Sequence, residues 1–407
     1  MDSPIKTGVK VMRQAVIVSG VRTAVGKAIK GSLRNYRSDE MSATVVKELL
    51  RKTEGKIVPS DVDDVIIGCA MPEACQGMNI ARIISIRSGL PVDVPAQTIN
   101  RFCASGLQTI ATAAEMIVAG GADIVVAGGV ETMSMVPMTG YRYSPNPHMS
   151  INYPEFYMSM GLTAERVAEM FEVSREDQDE FALRSHLRAA TAFREGKFNE
   201  EIVPLTVQEL VPGIDGSQTT EEFTFNEDEH LRPDSTIEQL SLLKPVFKKG
   251  GTVTAGNASP LSDGAAGVIV MERKLAEKKG LVPIVRFLGF AVAGVAPEIM
   301  GITAVIAYTY MASVVFIQPP LIRLLTTSRE RQIVMKPMRE VSNKEKILFP
   351  AIAMMVIILL VPKSAPLVSM FMIGNMFRES GVVPRLTDSA SNELLNISTI
   401  FLMITVG

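Results

Sequence analysis

Three cysteines, Cys69, Cys75 and Cys103, are all that the 407 residues contain. They form no CxxC pair and no metal-ligand spacing, so neither a disulfide framework nor a bound metal is expected. Histidine is equally scarce. His148, His186 and His230 lie in unrelated polar contexts with no HExxH-type cluster, and they read as ordinary surface residues. Net charge is only −2 at pH 7, which excludes the basic bias of a nucleic-acid binder and leaves electrostatic recognition to local groups. The amino terminus, MDSPIKTGVKVMRQAVIVSG, lacks the apolar core of roughly 7 to 15 residues and the cleavage site of a signal peptide. The first half is therefore expected to stay in the cytoplasm.

Charge itself is missing from one stretch. Residues 299–322 contain no Asp, Glu, Lys or Arg, and 24 helical residues would span about 36 Å, enough to cross a hydrocarbon core of about 30 Å. Three further uncharged runs, 347–362, 364–377 and 394–407, are shorter than a spanning helix needs and read as broken or re-entrant segments. Arginines and lysines crowd the loop after 322, from Arg323 to Lys346, while only Lys279 and Arg286 stand in the twenty residues before 299. Positive-inside bias thus places the downstream side in the cytoplasm. A single crossing would then export the first half, which has no signal for export, so the two demands conflict.

Before residue 299 the chain looks like a soluble protein. QAVIVSGVRT (14–23), VDDVIIGCAM (62–71), VPAQTINRFC (94–103) and GADIVVAGGV (121–130) carry short β-branched runs bounded mostly by Gly or Pro. DEMSATVVKELLRK (39–52) and ASGLQTIATAAEMIVAGG (104–121) repeat apolar residues at helical spacing. The alternation predicts a layered α/β domain around a buried, mainly parallel sheet. From 135 to 250 the pattern turns polar and proline-dotted, with an amphipathic helix over 175–197, which predicts an inserted subdomain. Strand character returns at GTVTAGNASPLSDGAAGVIVMER (251–273).

Few motifs carry chemistry. GVRTAVGKA (20–28) misses the phosphate-loop pattern, since five residues separate Gly20 from Gly26 and Ala28 stands where Ser or Thr would hold magnesium. Cys103 follows a predicted strand and opens an apolar helix, where unpaired N–H groups and the helix dipole favour a thiolate. That position suits a nucleophile, and it equally suits a small buried core residue. Residue type and spacing leave both open.

NRFCASGLQTI (100–110), GGVETMSMVPM (128–138), YMSMGLTAERVAE (157–169) and GGTVTAGNASPLSDGAA (250–266) closely resemble the thiolase superfamily, especially the 3-ketoacyl-CoA thiolases of fatty-acid β-oxidation. The resemblance runs from about 12 to 302. It implies an acyltransferase with coenzyme A or acyl-CoA as substrate, Cys103 as the cysteine that takes the acyl group, and a homodimer. It further implies that Met160 lines the pocket, that Arg232 meets CoA phosphates, and that Phe247, Ala255 and Ser259 flank adenine and pantetheine. Ser159 and Gln239 depart from biosynthetic relatives, which carry His and Ser there. The family's later motifs, an NEAFA asparagine, a GHP histidine and a cysteine in a glycine-rich loop, do not occur in this sequence.

TAVIAYTYMASVVFIQPPLIRLLTT (303–327), MKPMREVSNKEKILFP (335–350) and GNMFRESGVVPRLTDSASNELLNISTIFL (374–402) resemble the β subunit of sodium-pumping, biotin-dependent decarboxylases. This second resemblance implies a helical fragment inserted in the cytoplasmic membrane, biotin-dependent decarboxylase subunits as partners, and sodium by analogy only. No sodium site is assigned. The expected organisation is a tail (1–11), a thiolase-like α/β domain (12–134 and 251–282), its inserted loop subdomain (135–250), the start of a truncated second domain (283–302), and the membrane-subunit fragment (303–407). Three functions follow: a catalytically incomplete thiolase half, a sodium-transporting decarboxylase component with a passenger thiolase half, or a non-functional chimera. APEIMGI (296–302) is the expected seam, because both families carry a similar stretch there.

Overall fold

The computed structural model describes residues 13–212 and 218–292, with isolated positions 294, 352 and 355. The chain divides into two units, Met1–Phe290 and Ala291–Gly407. The uncharged stretch 299–322, the tail 1–11 and, but for Ile352 and Met355, the expected membrane fragment lie outside the described residues.

In chain order the first unit runs β1 (Ala15–Thr23), β2 (Gly26–Lys27), α1 (Ser38–Arg51), β3 (Asp64–Gly68), α2 (Ile80–Arg87), β4 (Ala96–Ile99), α3 (Ser105–Ala119) and β5 (Ile124–Thr132). It continues with α4 (Pro147–Asn152), α5 (Met160–Met170), α6 (Arg175–Arg194), β6 (Ile202–Val203), β7 (Leu205–Pro212) and β8 (Gln218–Phe225). It closes with α7 (Ile237–Ser241), β9 (Ser262–Glu272), α8 (Arg273–Lys278) and β10 (Val285–Arg286). The early strands and helices therefore form where β-branched runs and helical spacing predict them. α6 ends at Arg194, three residues short of the expected 197. The rejected phosphate-loop string lies across β1 and β2, which are strands of the sheet.

The sheet order is β10-β1-β9-β5-β3-β4. β3 is parallel to both β4 and β5, as expected of strands joined through helices. The expectation of a mainly parallel sheet needs correction, because β9 enters between β1 and β5 and runs antiparallel to both. Its sequence, SDGAAGVIVME, signals a strand but carries nothing that fixes direction. β6 pairs parallel with the end of β1 through Arg22↔Ile202, which stitches the 135–250 region to the sheet. Arg22 reinforces that stitch: its guanidinium meets Glu201 at 2.7 Å and both oxygens of Asp228 at 2.7 and 2.9 Å. Such fork-on-carboxylate pairs fix geometry as well as energy.

Alternation along each strand sorts the core into two layers. Ala15, Ile66, Val125, Ala127 and Val270 pack with Ala113, Ala114 and Ile117 of α3. Their neighbours Val16, Val65, Ile67, Val126, Ile269 and Met271 face the other way, with Val45 and Leu49 of α1 and Ile80 and Ile84 of α2. All five residues of β3 are buried, because helices cover both faces. One stretch among the described residues, Phe102–Ala119, is long and apolar enough to cross a membrane. It contains α3, whose inner side is buried on the sheet.

Ile66 is fully buried between the sheet and α3. Ile66→Ala is expected to cost about 2–5 kcal/mol, read as a lower denaturant midpoint by circular dichroism. An unchanged midpoint would remove Ile66 from that layer.

Candidate active site

Cys103 stands in a turn between β4 and α3, two residues ahead of the helix. It is exposed, whereas Cys69 is buried and Cys75 half-buried. The core reading of Cys103 is therefore set aside, and Cys69 is the cysteine that packs inside. Burial, with the Glu131 carboxylate close by, pushes the Cys69 thiol up to about 12.

The turn is tightly wired. Phe102 holds a left-handed backbone at φ +46°, which side-chain-bearing residues rarely adopt. Ser105 Oγ accepts a hydrogen bond from the Arg101 amide at 2.8 Å and donates to the Phe102 carbonyl at 2.6 Å. Asn100 Oδ1 accepts from the Phe102 amide at 2.8 Å. Below it, α3 sits almost against the sheet. A methyl group built on Gly68 would come within 2.7 Å of the Ser105 backbone, so only glycine lets the helix start this close to β3. Thr109 Oγ1 lies 3.0 Å from the Gly128 carbonyl and pins the next turn to β5.

The other expected site residues gather on the 135–260 region. Met160 opens α5 and is half exposed. The Phe247 ring lies where a side chain on Gly161 would be, 2.1 Å from its Cβ position, so α5 and the loop carrying Phe247 interlock. Ala255 and Ser259 are exposed on that loop. The loop is anchored from below by the buried Glu165 carboxylate, which accepts the Thr252 and Val253 amides at 2.9 and 2.8 Å. Asn257 donates to Asp179 of α6 at 2.9 Å, and Arg175 clamps the same Asp179 at 2.7 Å. Arg232 is exposed, and its charge reaches both His186 and His230. Among the described residues no hydrogen bond joins Cys103 to any of these five.

The surface reading of the histidines holds for His148 alone, since His186 and His230 are half-buried. His230 Nε2 pairs with Ser262 Oγ at 3.0 Å. No group of three or more His, Cys, Asp or Glu gathers as a metal site among the described residues. Sequence reasoning missed Glu165, Asp179 and Asn257, which are joined to residues 78 to 88 positions away, although Asp179 also has a local partner in Arg175. It also missed Asn100, although an Asn two residues before a strained turn is a legible local signal.

The family model described as "Thiolase, N-terminal domain" matches residues 15–274. The chain belongs to the thiolase family. A 3-ketoacyl-CoA thiolase of Bacillus subtilis is 54% identical over 291 residues, covering 72% of this chain and 74% of that protein. One from Saccharophagus degradans is 42% identical over 290 residues, covering 71% and 72%. The crystal structure of the Bacillus anthracis acetyl-CoA acetyltransferase matches this thiolase part with a TM-score of 0.62 at 39% identity, covering 72% of this chain and 73% of that one. Residues 283–407 match a different family model, "Na+-transporting oxaloacetate decarboxylase beta subunit". The protein thus has two parts of different kinship.

Gly68→Ala is expected to lower thiolase-part stability by about 1–3 kcal/mol through overpacking against α3. Gly106→Ala meets nothing within 4 Å and is expected to be neutral or stabilising, so equal denaturant midpoints for the two variants would refute the close approach. Burial, and for His186 the nearby Arg232 charge, holds both imidazoles below their ordinary value. Their neutral forms are favoured on folding, so the associated stability is present above about pH 6.5 and is lost as the pH falls below it. Thermal midpoints from about pH 7.5 to 5.5 should therefore decline, and less steeply in His186→Gln; parallel profiles would sink this assignment.

Proposed function

We propose that this protein carries thiolase-type acyl transfer on Cys103, with a catalytic apparatus that is incomplete within these 407 residues. The observation that carries the reading is an exposed cysteine at the mouth of α3, in a chain 54% identical over 291 residues to a 3-ketoacyl-CoA thiolase. In the full reaction Cys103 Sγ would attack the 3-keto carbon of a 3-ketoacyl-CoA. The bond between that carbon and the α-carbon would break, the α-carbon would take a proton, and acetyl-CoA would leave. The thiol of a second CoA would then take the acyl group from Cys103. Each half needs a proton-handling group and donors for the oxyanion. The NEAFA, GHP and glycine-rich cysteine motifs that supply them in the family do not occur in the sequence. Met160, Arg232, Phe247, Ala255 and Ser259 are assigned to the acyl-CoA, with Arg232 on its phosphates, and no metal is assigned.

The match of 283–407 to a decarboxylase β subunit supports a second reading. Here the carboxy-terminal part inserts in the cytoplasmic membrane and joins a biotin-dependent, sodium-transporting complex, with the thiolase part cytoplasmic. Copurification of the full chain with a biotinylated protein and sodium-dependent decarboxylation would favour it over acyl transfer; neither occurring would eliminate it. A chimera without function would show none of these activities.

Purified full chain incubated with acetyl-CoA is expected to acquire one acetyl group on the Cys103 peptide, absent in Cys103→Ser, while acetoacetyl-CoA thiolysis stays negligible. No acetylation would overturn the acyl-transfer reading. Efficient thiolysis abolished by Cys103→Ser would overturn the incompleteness.

A further inference from the structure

We propose that Asn100 is a positioning residue for Cys103, holding the strained turn that presents the thiol. The inference rests on the acyl-transfer reading of Cys103. Asn100 uses both ends of its side chain on backbone. Oδ1 accepts the Phe102 amide at 2.8 Å, and Nδ2 donates to the Ala70 carbonyl at 2.9 Å. The Ala70 peptide is itself held from the sheet side, because its amide donates to Glu131 of β5 at 2.8 Å. Glu131 is fixed in turn by Gln76, fully buried, whose Nε2 lies 2.7 Å from the carboxylate. A continuous chain of hydrogen bonds therefore runs from β5 through the loop after β3 to the residue immediately before Cys103.

That chain ends on the one backbone unit in the turn that needs holding. Phe102 at φ +46° is the left-handed residue between β4 and α3, and its side chain is exposed, so no packing enforces the conformation. Asn100 is exposed as well. Its removal opens no cavity and strands no fully buried partner, which separates its role from core stability. What it does supply is direction: with the Phe102 peptide clamped, the Cys103 side chain leaves the turn at one fixed angle instead of several.

The test uses the full chain and follows three signals: acetylation of the Cys103 peptide by acetyl-CoA, alkylation of each cysteine by iodoacetamide, and deuterium exchange of the 98–104 peptide. In Asn100→Ala, acetylation is expected to slow about tenfold while Cys103 and Cys75 alkylation stay within about twofold, since misplacement penalises an oriented reaction and spares an unoriented one. Exchange of the 98–104 peptide should quicken in the same variant. Asn100→Asp keeps the acceptor for the Phe102 amide but sets an oxygen against the Ala70 carbonyl, so its acetylation is expected to fall between that of Asn100→Ala and wild type. Acetylation of Asn100→Ala at the wild-type rate, or unaltered exchange, overturns the proposal. If wild-type protein takes no acetyl group, the acyl-transfer reading falls, and exchange alone decides whether Asn100 holds the turn. If Asn100→Ala exposes Cys69 to alkylation, the fold has loosened, and Asn100→Asp then decides: slowed acetylation with Cys69 still protected supports the clamp, and any other result refutes it.

Discussion

The approach of α3 to the sheet is the constraint on which the candidate site depends. The helix begins against Gly68 and is pinned at Gly128, so its first turn has no freedom to slide. Everything just before it, from Asn100 to Cys103, must then close a short gap between the end of β4 and a fixed point. The gap is closed by a left-handed residue and a ring of side-chain-to-backbone bonds, and the cost of that conformation is met by the packing of α3 below it. An exposed cysteine is thereby given a stiff base, although it has no close packing of its own.

Much of this was legible in the residues. Valine and isoleucine runs marked β1, β3 and β5, and helical spacing marked α1 and α3, because local pattern and burial agree there. The direction of β9 was not legible: GVIVME pairs equally well either way, and only its neighbours β1 and β5 decide. The exposure of Cys103 against the burial of Cys69 was likewise hidden, since both follow strand-like runs in glycine-bounded contexts. Glu165, Asp179 and Asn257 escaped for another reason. Each has a partner far along the chain, and a polar side chain that holds a distant loop looks in sequence like any solvated one.

The two parts differ in the physics that their residues suit. Up to residue 290 the chain forms a unit whose apolar groups are divided between two faces of one sheet. Beyond it the composition loses charge over stretches too long for an ordinary core strand, and the kinship changes with it.

The placement of β9 has a consequence for synthesis. It lies between β1 and β5, yet it is the last long strand of the sheet to leave the ribosome. At roughly 5–20 residues per second, the edges of β1 and β5 wait on the order of ten seconds without their common neighbour. During that interval two apolar strands lack the neighbour that will close their facing edges, and such open edges are where pairing with another chain begins until Glu272 has emerged.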